Sequence, residues 1–498
     1  MKRIRLLDIV VCLVLVVTTL PAAQTSAQTP APSKPATLSL EPRALAAFLS
    51  EEVASKDLVG LSLAVMRDGK LVYAGGAGHS SIARNLPVAP ETMFAIGSIT
   101  KQFTSACILL LAEDGKLSVT DKVAKWFPDL TSAGEITVLD LLNHVSGYPD
   151  YYPLDFVDRP MQKPIPADEL IRRFGTRRLD FEPGTRYSYS NTGFVILGRI
   201  VSKVSGRPYA EFLQERILKP LGLTHTVFEP DASSAGLAQG YVTFALSPPE
   251  PATPESPGWV GAAGALYSTP SDLVKWDMAL IGGQVLKPES FKLMTTPRTL
   301  RDGTVSNYGC GLGVRKRDAD IILSHNGAVA GFYALNTVIP STRSAVVLLS
   351  NLDSYTAVDA VYGRLMEALL PAMPLLPAKA AEPAPAKKSE PPRGVPVISG
   401  PPAPEAARLL FLQLQKGVVD RTKLGDEYNA FLTDEKVRGA SARLKAFGEP
   451  TAVEIVSVAE RGGMEVARTR LVFAKGTLRG LMYRTPDGKV QQFFVLKD

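Results

Sequence analysis

Cysteine and histidine are scarce in this chain, which has three cysteines and four histidines among 498 residues. Cys107 and Cys310 lie far apart, and no residues with metal-ligand spacing flank them. A disulfide framework is therefore not expected, and a large hydrophobic core must hold the fold instead. The sequence also contains no His-Glu-x-x-His motif, which disfavours a zinc hydrolase. We predict no metal and no other cofactor.

Charge of one sign is not in excess either. The 55 Lys and Arg residues are interspersed with 49 Asp and Glu residues, which gives a formal net charge of +6. A nucleic-acid-binding protein would gather its basic residues on one face or in one stretch. No nucleic-acid partner is therefore predicted.

Long apolar runs are absent apart from residues 9–20, which follow basic residues and precede small ones. This pattern predicts a secretory signal peptide over residues 1–27. The run is shorter than the roughly 20 residues that a spanning helix needs, so no stable membrane span is predicted after cleavage. We expect a secreted or periplasmic protein, with residues 28–40 as a flexible leader rich in Pro, Ser, Thr and Ala.

Proline and alanine also dominate residues 371–404, which are predicted to form an interdomain linker. The linker separates a body of residues 41–370 from a module of residues 405–498. In the body, strand-like runs cluster at both ends, with Asp68-Gly69 as a hairpin turn near the start, and helical patterns fill the middle. The predicted fold class is α/β of the α+β type, with an antiparallel sheet completed by sequence-distant segments, flanking helices and an inserted helical subdomain.

The individual elements of the body follow from periodicity and turn residues. Its predicted strands are Leu61–Arg67, Leu71–Gly75, Leu312–Arg317, Ile321–Ser324, Phe332–Ile339 and Ala345–Ser350. Its helical patterns include Leu139–Asn143, Phe194–Val204, Tyr209–Ile217 and Ser271–Leu280.

The C-terminal module begins with two helical patterns, Glu405–Gln415 and Asp434–Phe447, and continues with four alternating strand runs. This order predicts a small α+β domain. It resembles the NTF2-like or cystatin-like domains. We expect a stabilising or docking accessory.

Ser98-Ile99-Thr100-Lys101 is the only Ser-x-x-Lys motif in the chain. An apolar helical pattern follows it and ends at Asp114-Gly115, which places Ser98 at the start of a helix. Residues three apart share a helix face, so the Lys101 amine should lie beside the Ser98 hydroxyl. A serine must lose its proton to a neighbouring base as it attacks, and a buried lysine at a helix N-terminus can be that base.

Two further motifs complete the candidate site. Tyr189-Ser190-Asn191 lies on a loop that enters a helix, where Tyr189 could carry the serine proton to a leaving group and Asn191 could hold Lys101 and a substrate carbonyl. In His325-Asn326-Gly327, the glycine leaves room for a substrate backbone and His325 could donate to a substrate carboxylate or carbonyl. The N–H of Ala328 could pair with that of Ser98 as an oxyanion hole.

These motifs, in this order, resemble those of the penicillin-recognising serine hydrolases, a family that includes class C β-lactamases, DD-carboxypeptidases, esterases and D-aminopeptidases. The resemblance covers most of residues 41–370 and includes the stretch Leu141–Gly147, in which His144 is interpreted as a structural turn residue. It implies a β-lactamase/transpeptidase-like fold and acyl transfer through a Ser98 acyl-enzyme. The substrate could be a D-amino-acid peptide, an ester or a β-lactam.

One departure bears on the substrate. His325 stands where β-lactamases usually have lysine, so a fixed positive charge for the β-lactam carboxylate is missing. A peptidase or esterase substrate is therefore favoured over a penicillin, and a cell-wall-derived peptide is one candidate. Residues 148–153 are either a wall of the substrate cleft or an ordinary surface loop.

The alternative function is a catalytically weak cell-wall or peptide-binding protein built on a hydrolase scaffold. Intact Ser98, Lys101, Tyr189 and Asn191 argue against it. A different serine triad is disfavoured because the chain has no Gly-x-Ser-x-Gly motif. Neither the acyl donor nor the oligomeric state follows from the sequence.

Overall fold

The computed structural model describes residues 38–317, 320–370 and 395–497. The predicted signal peptide, residues 28–37 of the predicted leader and residues 371–394 of the predicted linker lie outside the described residues. Among the helices of the described ranges, none is long and apolar enough to cross a membrane.

The body, residues 38–370, alternates short strands with helices. Its helices are α1 Pro42–Ser55, α2 Thr100–Glu113, α3 Val138–Leu142, α4 Ala167–Gly175, α5 Asn191–Ser205, α6 Tyr209–Leu213, α7 Gly261–Gly264, α8 Pro270–Ile281, α9 Pro288–Met294 and α10 Tyr355–Leu369. Its strands are β1 Gly60–Arg67, β2 Lys70–Ser81, β3 Leu86–Pro87, β4 Phe94–Ala95, β5 Val227–Phe228, β6 Tyr241–Val242, β7 Glu250–Pro251, β8 Leu266–Ser268, β9 Gly313–Arg317, β10 Asp320–Val329, β11 Phe332–Ile339 and β12 Ser344–Ser350.

Seven strands form one antiparallel sheet in the order β3-β2-β1-β12-β11-β10-β9. Strand β1 from the start of the body pairs with β12 from its end, so the predicted closure of the sheet by distant segments is confirmed. The turn between β1 and β2 has Asp68 at φ 50° and Gly69 at φ 73°, which both residues tolerate.

Helices cover both faces of this sheet. Alternate residues of β12 point to opposite faces: Val346 and Leu348 pack in a core with α1 and α10, whereas Val347 and Leu349 pack in a larger core with α2, α5 and α8. The helix α2 is enclosed in this larger core, and all its residues from Thr100 to Leu111 are buried. Ser98 lies in the turn directly before α2, and this turn contacts strand β10 of the sheet on one side and helix α7 on the other.

Predicted elements of the body differ from the structure at three places: β10, Tyr209–Ile217 and Leu71–Gly75, the last of which continues as β2 to Ser81. Strand β10 was expected to end at Ser324, but it continues to Val329 because its residues pair with β11 over this whole length. The helical pattern Tyr209–Ile217 is α-helical only to Leu213, and a π-helical turn, Gln214–Leu218, follows it. The first difference matters for function, since it puts His325, Asn326 and Gly327 on a sheet strand.

The C-terminal module consists of helices α11 Ala403–Lys416, α12 Asp426–Phe431 and α13 Asp434–Leu444 and strands β13 Ala452–Arg461, β14 Met464–Phe473, β15 Gly476–Arg484 and β16 Val490–Lys497. The strands form a separate antiparallel sheet in chain order. Phe156 and Phe244 of the body belong to the hydrophobic core of this module, and both rings contact Phe431. The body and the module therefore form one compact unit.

Candidate active site

Ser98 lies in a turn of 3-10 helix, Gly97–Ile99, directly before α2. Gly97 has φ 49°, and a Cβ atom there would lie 2.7 Å from the Ala328 nitrogen. Only glycine lets this turn approach strand β10 so closely. The expectation that Ser98 stands at the start of a helix therefore matches the structure, and Ser98 is among the residues that line a cavity of about 1100 Å³.

The Lys101 side chain is fully buried beneath Ser98. Its Nζ atom donates to Ser98 Oγ at 3.0 Å, to Asn191 Oδ1 at 2.8 Å and to the Ala263 carbonyl at 2.7 Å. Burial lowers the pKa of this amine to about 7, with an opposing effect from Asp150 and a smaller lowering from the Arg461 cation. Near neutral pH a large fraction of Lys101 is therefore uncharged and able to accept a proton.

Tyr189 faces the same pair of residues. Its ring lies 4.8 Å from Lys101 Nζ, and its buried hydroxyl has no hydrogen-bond partner of ordinary geometry. Burial raises the pKa of this phenol well above 10, and the neighbouring Ser98 hydroxyl works in the opposite direction. Tyr189 is therefore protonated in the resting site, which fits a proton relay better than a resting base.

Asn191 is fixed by Asp150, for which the sequence predicted only a place in a possible wall of the substrate cleft. The Asn191 backbone N–H and its Nδ2 each donate to Asp150 Oδ1 at 3.0 Å, which leaves Asn191 Oδ1 to accept from Lys101. Asp150 is buried. The Asn191 amide nitrogen therefore faces Asp150, and the expected contact with a substrate carbonyl stays a prediction.

Residues 148–155, called the wall segment from here on, border the cavity with Tyr152, Leu154 and Asp155. Tyr148, Asp150 and Tyr151 are buried, so of the two interpretations of residues 148–153 the structure favours the cleft wall over the surface loop. The signal available in the sequence was the run of aromatic residues with one acid.

His144 supports the second motif from beneath. Its Nδ1 accepts the Ser190 N–H at 3.1 Å, and its ring lies 4.2 Å from that of Tyr189. Burial and the Lys101 charge lower the pKa of His144 well below 6.5, so it is neutral. This arrangement agrees with the structural interpretation of His144.

His325 is buried on β10 and has protein partners at both ring nitrogens. Its Nδ1 contacts the Asn326 carbonyl, so this nitrogen carries the hydrogen, and its Nε2 accepts from the Tyr308 hydroxyl at 2.8 Å. Burial and the charge of Lys101 lower the pKa of His325 to about 3. The ring is therefore neutral, and a donation to substrate would require it to leave the Asn326 carbonyl. Tyr308 was not identified from the sequence, because nothing local marks it.

Gly327 brings β10 against the Ser98 turn. A Cβ atom on Gly327 would lie 1.9 Å from the Ile96 carbonyl oxygen and 3.0 Å from the Ser98 nitrogen. Ala328 follows it and borders the cavity. The backbone of Ser98 and that of Ala328 are therefore adjacent, as an oxyanion hole requires.

Cys107 and Cys310 are both buried free thiols, away from this cavity. Within the described ranges, no group of three or more His, Cys, Asp or Glu side chains could hold a metal ion.

The comparison with known proteins agrees with this geometry. Residues 45–369 match the profile of the family described as Beta-lactamase. The chain belongs to the beta-lactamase family. Its relatives in that family include enzymes that act on amides and peptides, and with this site they identify the chain as a serine hydrolase.

Two beta-lactamase-family relatives are named for D-amino-acid substrates. A D-aminopeptidase of Gluconobacter oxydans is 30% identical over 296 residues, which cover 59% of this chain and 55% of that enzyme. The match therefore spans only about half the length of the D-aminopeptidase. The crystal structure of D-amino acid amidase from Ochrobactrum anthropi SV3, complexed with L-phenylalanine, has a TM-score of 0.57 and 28% identity, and covers 66% of this chain and 97% of that one.

One structural comparison covers most of the chain, beyond the residues that match the family. The octameric penicillin-binding protein homologue from Pyrococcus abyssi has a TM-score of 0.57 over 91% of this chain and 99% of its own, at 22% identity. This likeness concerns the fold alone. The specific resemblance of the module to NTF2-like or cystatin-like domains stays a prediction.

Proposed function

We propose that the protein is a secreted or periplasmic hydrolase that forms an acyl-enzyme on Ser98 with small amide or peptide substrates containing a D-amino acid. One observation carries the catalytic part: the Lys101 amine is fully buried, lies 3.0 Å from the Ser98 hydroxyl and has a pKa of about 7. An uncharged amine at this distance is what a serine nucleophile needs.

In the proposed reaction, Ser98 Oγ attacks the substrate carbonyl carbon while its proton passes to Lys101 Nζ. The N–H groups of Ser98 and Ala328 stabilise the negative charge that develops on the carbonyl oxygen. The amide C–N bond then breaks, the Tyr189 hydroxyl donates a proton to the leaving nitrogen, and Lys101 returns a proton to Tyr189. A water molecule attacks the acyl-enzyme by the same route in reverse and releases the acid.

The substrate proposal is supported by the relatives named D-aminopeptidase and D-amino acid amidase. It is also supported by the neutral His325, whose pKa of about 3 leaves no fixed cation at this position for a β-lactam carboxylate. A substrate without that carboxylate loses nothing at this site, whereas a penicillin loses a charged contact.

Covalent labelling tests the nucleophile. Incubation with a fluorophosphonate followed by intact-protein and peptide mass spectrometry should give one adduct, on Ser98, and Ser98→Ala should abolish it. Ser105→Ala is the matched control, because Ser105 is a buried serine on α2, the helix that directly follows Ser98. Labelling of another residue, or undiminished labelling in Ser98→Ala, would contradict the proposal.

Steady-state assays test the substrate class. We expect turnover of D-alanine p-nitroanilide and D-phenylalanine amide in preference to their L forms, and slower turnover of nitrocefin. Faster hydrolysis of nitrocefin or of the L substrates would refute the D-amino-acid assignment. Binding of all these compounds without turnover would support the alternative, a binding protein on a hydrolase scaffold.

A further inference from the structure

The C-terminal module borders the same cavity as Ser98. Glu460 and Arg461, the last two residues of β13 before its turn into β14, border this cavity. The next residue, Gly462, has φ 57°, and a Cβ atom on it would lie 2.7 Å from Pro153 Cβ. The tip of this hairpin therefore packs directly on the wall segment of the body. An accessory domain remote from the active site would not make this contact.

Arg461 binds the wall segment at two points. Its Nη1 donates to Asp155 Oδ1 at 2.9 Å, and its Nη2 donates to the Tyr152 carbonyl at 3.1 Å. The Tyr483 hydroxyl and Gln492 Nε2 also donate to the carboxylate of Asp155, at 2.7 Å and 2.8 Å, so the module holds this acid from three strands. The same wall segment carries Asp150, which fixes Asn191 beside Lys101.

Glu460 binds the other side of the second motif. Its Oε2 accepts from Ser188 Oγ at 3.3 Å and lies 3.9 Å from Arg186 Nη2. Its Oε1 accepts the Gly463 N–H at 2.8 Å, which fixes the carboxylate within the hairpin turn. Ser188 directly precedes Tyr189, so this contact fixes the backbone next to the residue that carries the phenol.

We propose that Glu460 and Arg461 are positioning residues of the active site, through which the β13–β14 hairpin holds Tyr189 and Asn191 in place from two sides. The C-terminal module is then an integral part of the catalytic unit. This inference rests on the proposed acylation of Ser98 and adds to it a requirement for two residues far away in the sequence.

The charge of Arg461 adds a second effect. The charged and titratable groups that face Lys101 are Asp150, Arg461, His144, His325 and Tyr189. Both histidines and the phenol are neutral, so Asp150 and Arg461 act on the Lys101 amine with opposite signs. Loss of the Arg461 cation would raise the pKa of Lys101, and acylation would then require a higher pH.

The test is the second-order rate of fluorophosphonate labelling at Ser98 in the full-length protein, measured from pH 5 to pH 9. For Arg461→Gln we expect the rate at pH 7 to fall about tenfold or more, because small displacements of reacting groups are costly, and the midpoint of the pH profile to move upward. Arg461→Lys should keep the wild-type midpoint, because it keeps the charge. Glu460→Gln should lower the rate without moving the midpoint.

Arg408→Gln is the matched control, since it removes the same charge from an exposed ion pair of the module away from the cavity.

The outcomes separate this inference from the proposed function. Absence of a Ser98 adduct in the wild-type protein would refute the proposed function itself. A normal Ser98 adduct in the wild type, with unchanged rate and midpoint in Arg461→Gln, would overturn the positioning role alone. If Arg461→Gln is less stable than the wild type in thermal unfolding, Arg461→Lys and Glu460→Gln test the positioning role instead. Wild-type labelling rates in both of these variants would also overturn the positioning role.

Discussion

Lys101 determines how the reactivity of Ser98 should depend on pH. Burial lowers the pKa of Lys101 to about 7, so the amine is uncharged above that pH and protonated below it. We expect the rate of fluorophosphonate labelling to rise through a midpoint near pH 7 and to fall on acidification. Lys101→Arg, which cannot lose its proton, should lower the rate by about 100-fold or more. Lys203→Arg on α5 is the control, and equal rates in both variants would exclude Lys101 as the base.

Asp150 offers the opposite electrostatic change to Arg461. Its carboxylate raises the pKa of Lys101 and accepts two hydrogen bonds from Asn191. Asp150→Asn should therefore move the pH midpoint of labelling downward. It should also slow labelling about tenfold, because an uncharged amide oxygen accepts the two hydrogen bonds from Asn191 more weakly than a carboxylate does and fixes its side chain less firmly. A midpoint that stays in place or moves upward would show that Asp150 does not act on Lys101.

At the scale of the element, the close approach of strand β10 to the Ser98 turn depends on Gly327. The Gly327→Ala variant would place a methyl group 1.9 Å from the Ile96 carbonyl oxygen, so the strand and the turn must separate. We expect labelling to fall by about 100-fold, since the two proposed oxyanion donors move apart. Gly134→Ala is the control, because nothing lies within 4 Å of the added Cβ. Normal labelling in Gly327→Ala would mean that the strand can shift without consequence.

The elements also differ in how well the sequence predicted them. Strand β11 was predicted with its observed bounds, Phe332–Ile339, because apolar residues fill it and turn residues flank it. Strand β10 was predicted too short, because His325, Asn326 and Gly327 are not typical strand residues and only pairing with β11 keeps them in the sheet. The contact between Lys101 and Ser98 was predictable from helix spacing. The contact of Asp150 with Asn191 was not, since it joins a loop without periodicity to the first residue of α5.

At the scale of the whole molecule, the body and the module share one aromatic contact region. The ring of Phe156 lies 4.7 Å from that of Phe431 and is buried in the core of the module. Phe156→Ala should lower the free energy of unfolding by about 3 kcal/mol, the range typical of buried phenylalanine. Urea unfolding followed by circular dichroism measures it. Leu409→Ala, at an exposed position of α11, should change this free energy by less than about 0.5 kcal/mol. Equal effects of the two variants would contradict the docking role of Phe156.

The relation between the two parts of the chain was the least predictable feature. The strands and helices of the module followed from alternation and turn residues, but its position did not. The hydrogen bond from Arg461 to Asp155 joins residues 306 positions apart, and no local pattern marks either partner. A sequence divided at a proline-rich stretch indicates two parts, and it does not tell whether they meet at the active site.

The position of Arg461 far beyond Tyr189 in the sequence has a consequence for biosynthesis. Ser98, Lys101 and Tyr189 emerge from the ribosome long before the β13–β14 hairpin is translated. Under the positioning role proposed above, a nascent or prematurely terminated polypeptide would contain every reacting group and still be a poor enzyme. Activity would then begin only after the β13–β14 hairpin has been translated and has packed on the wall segment.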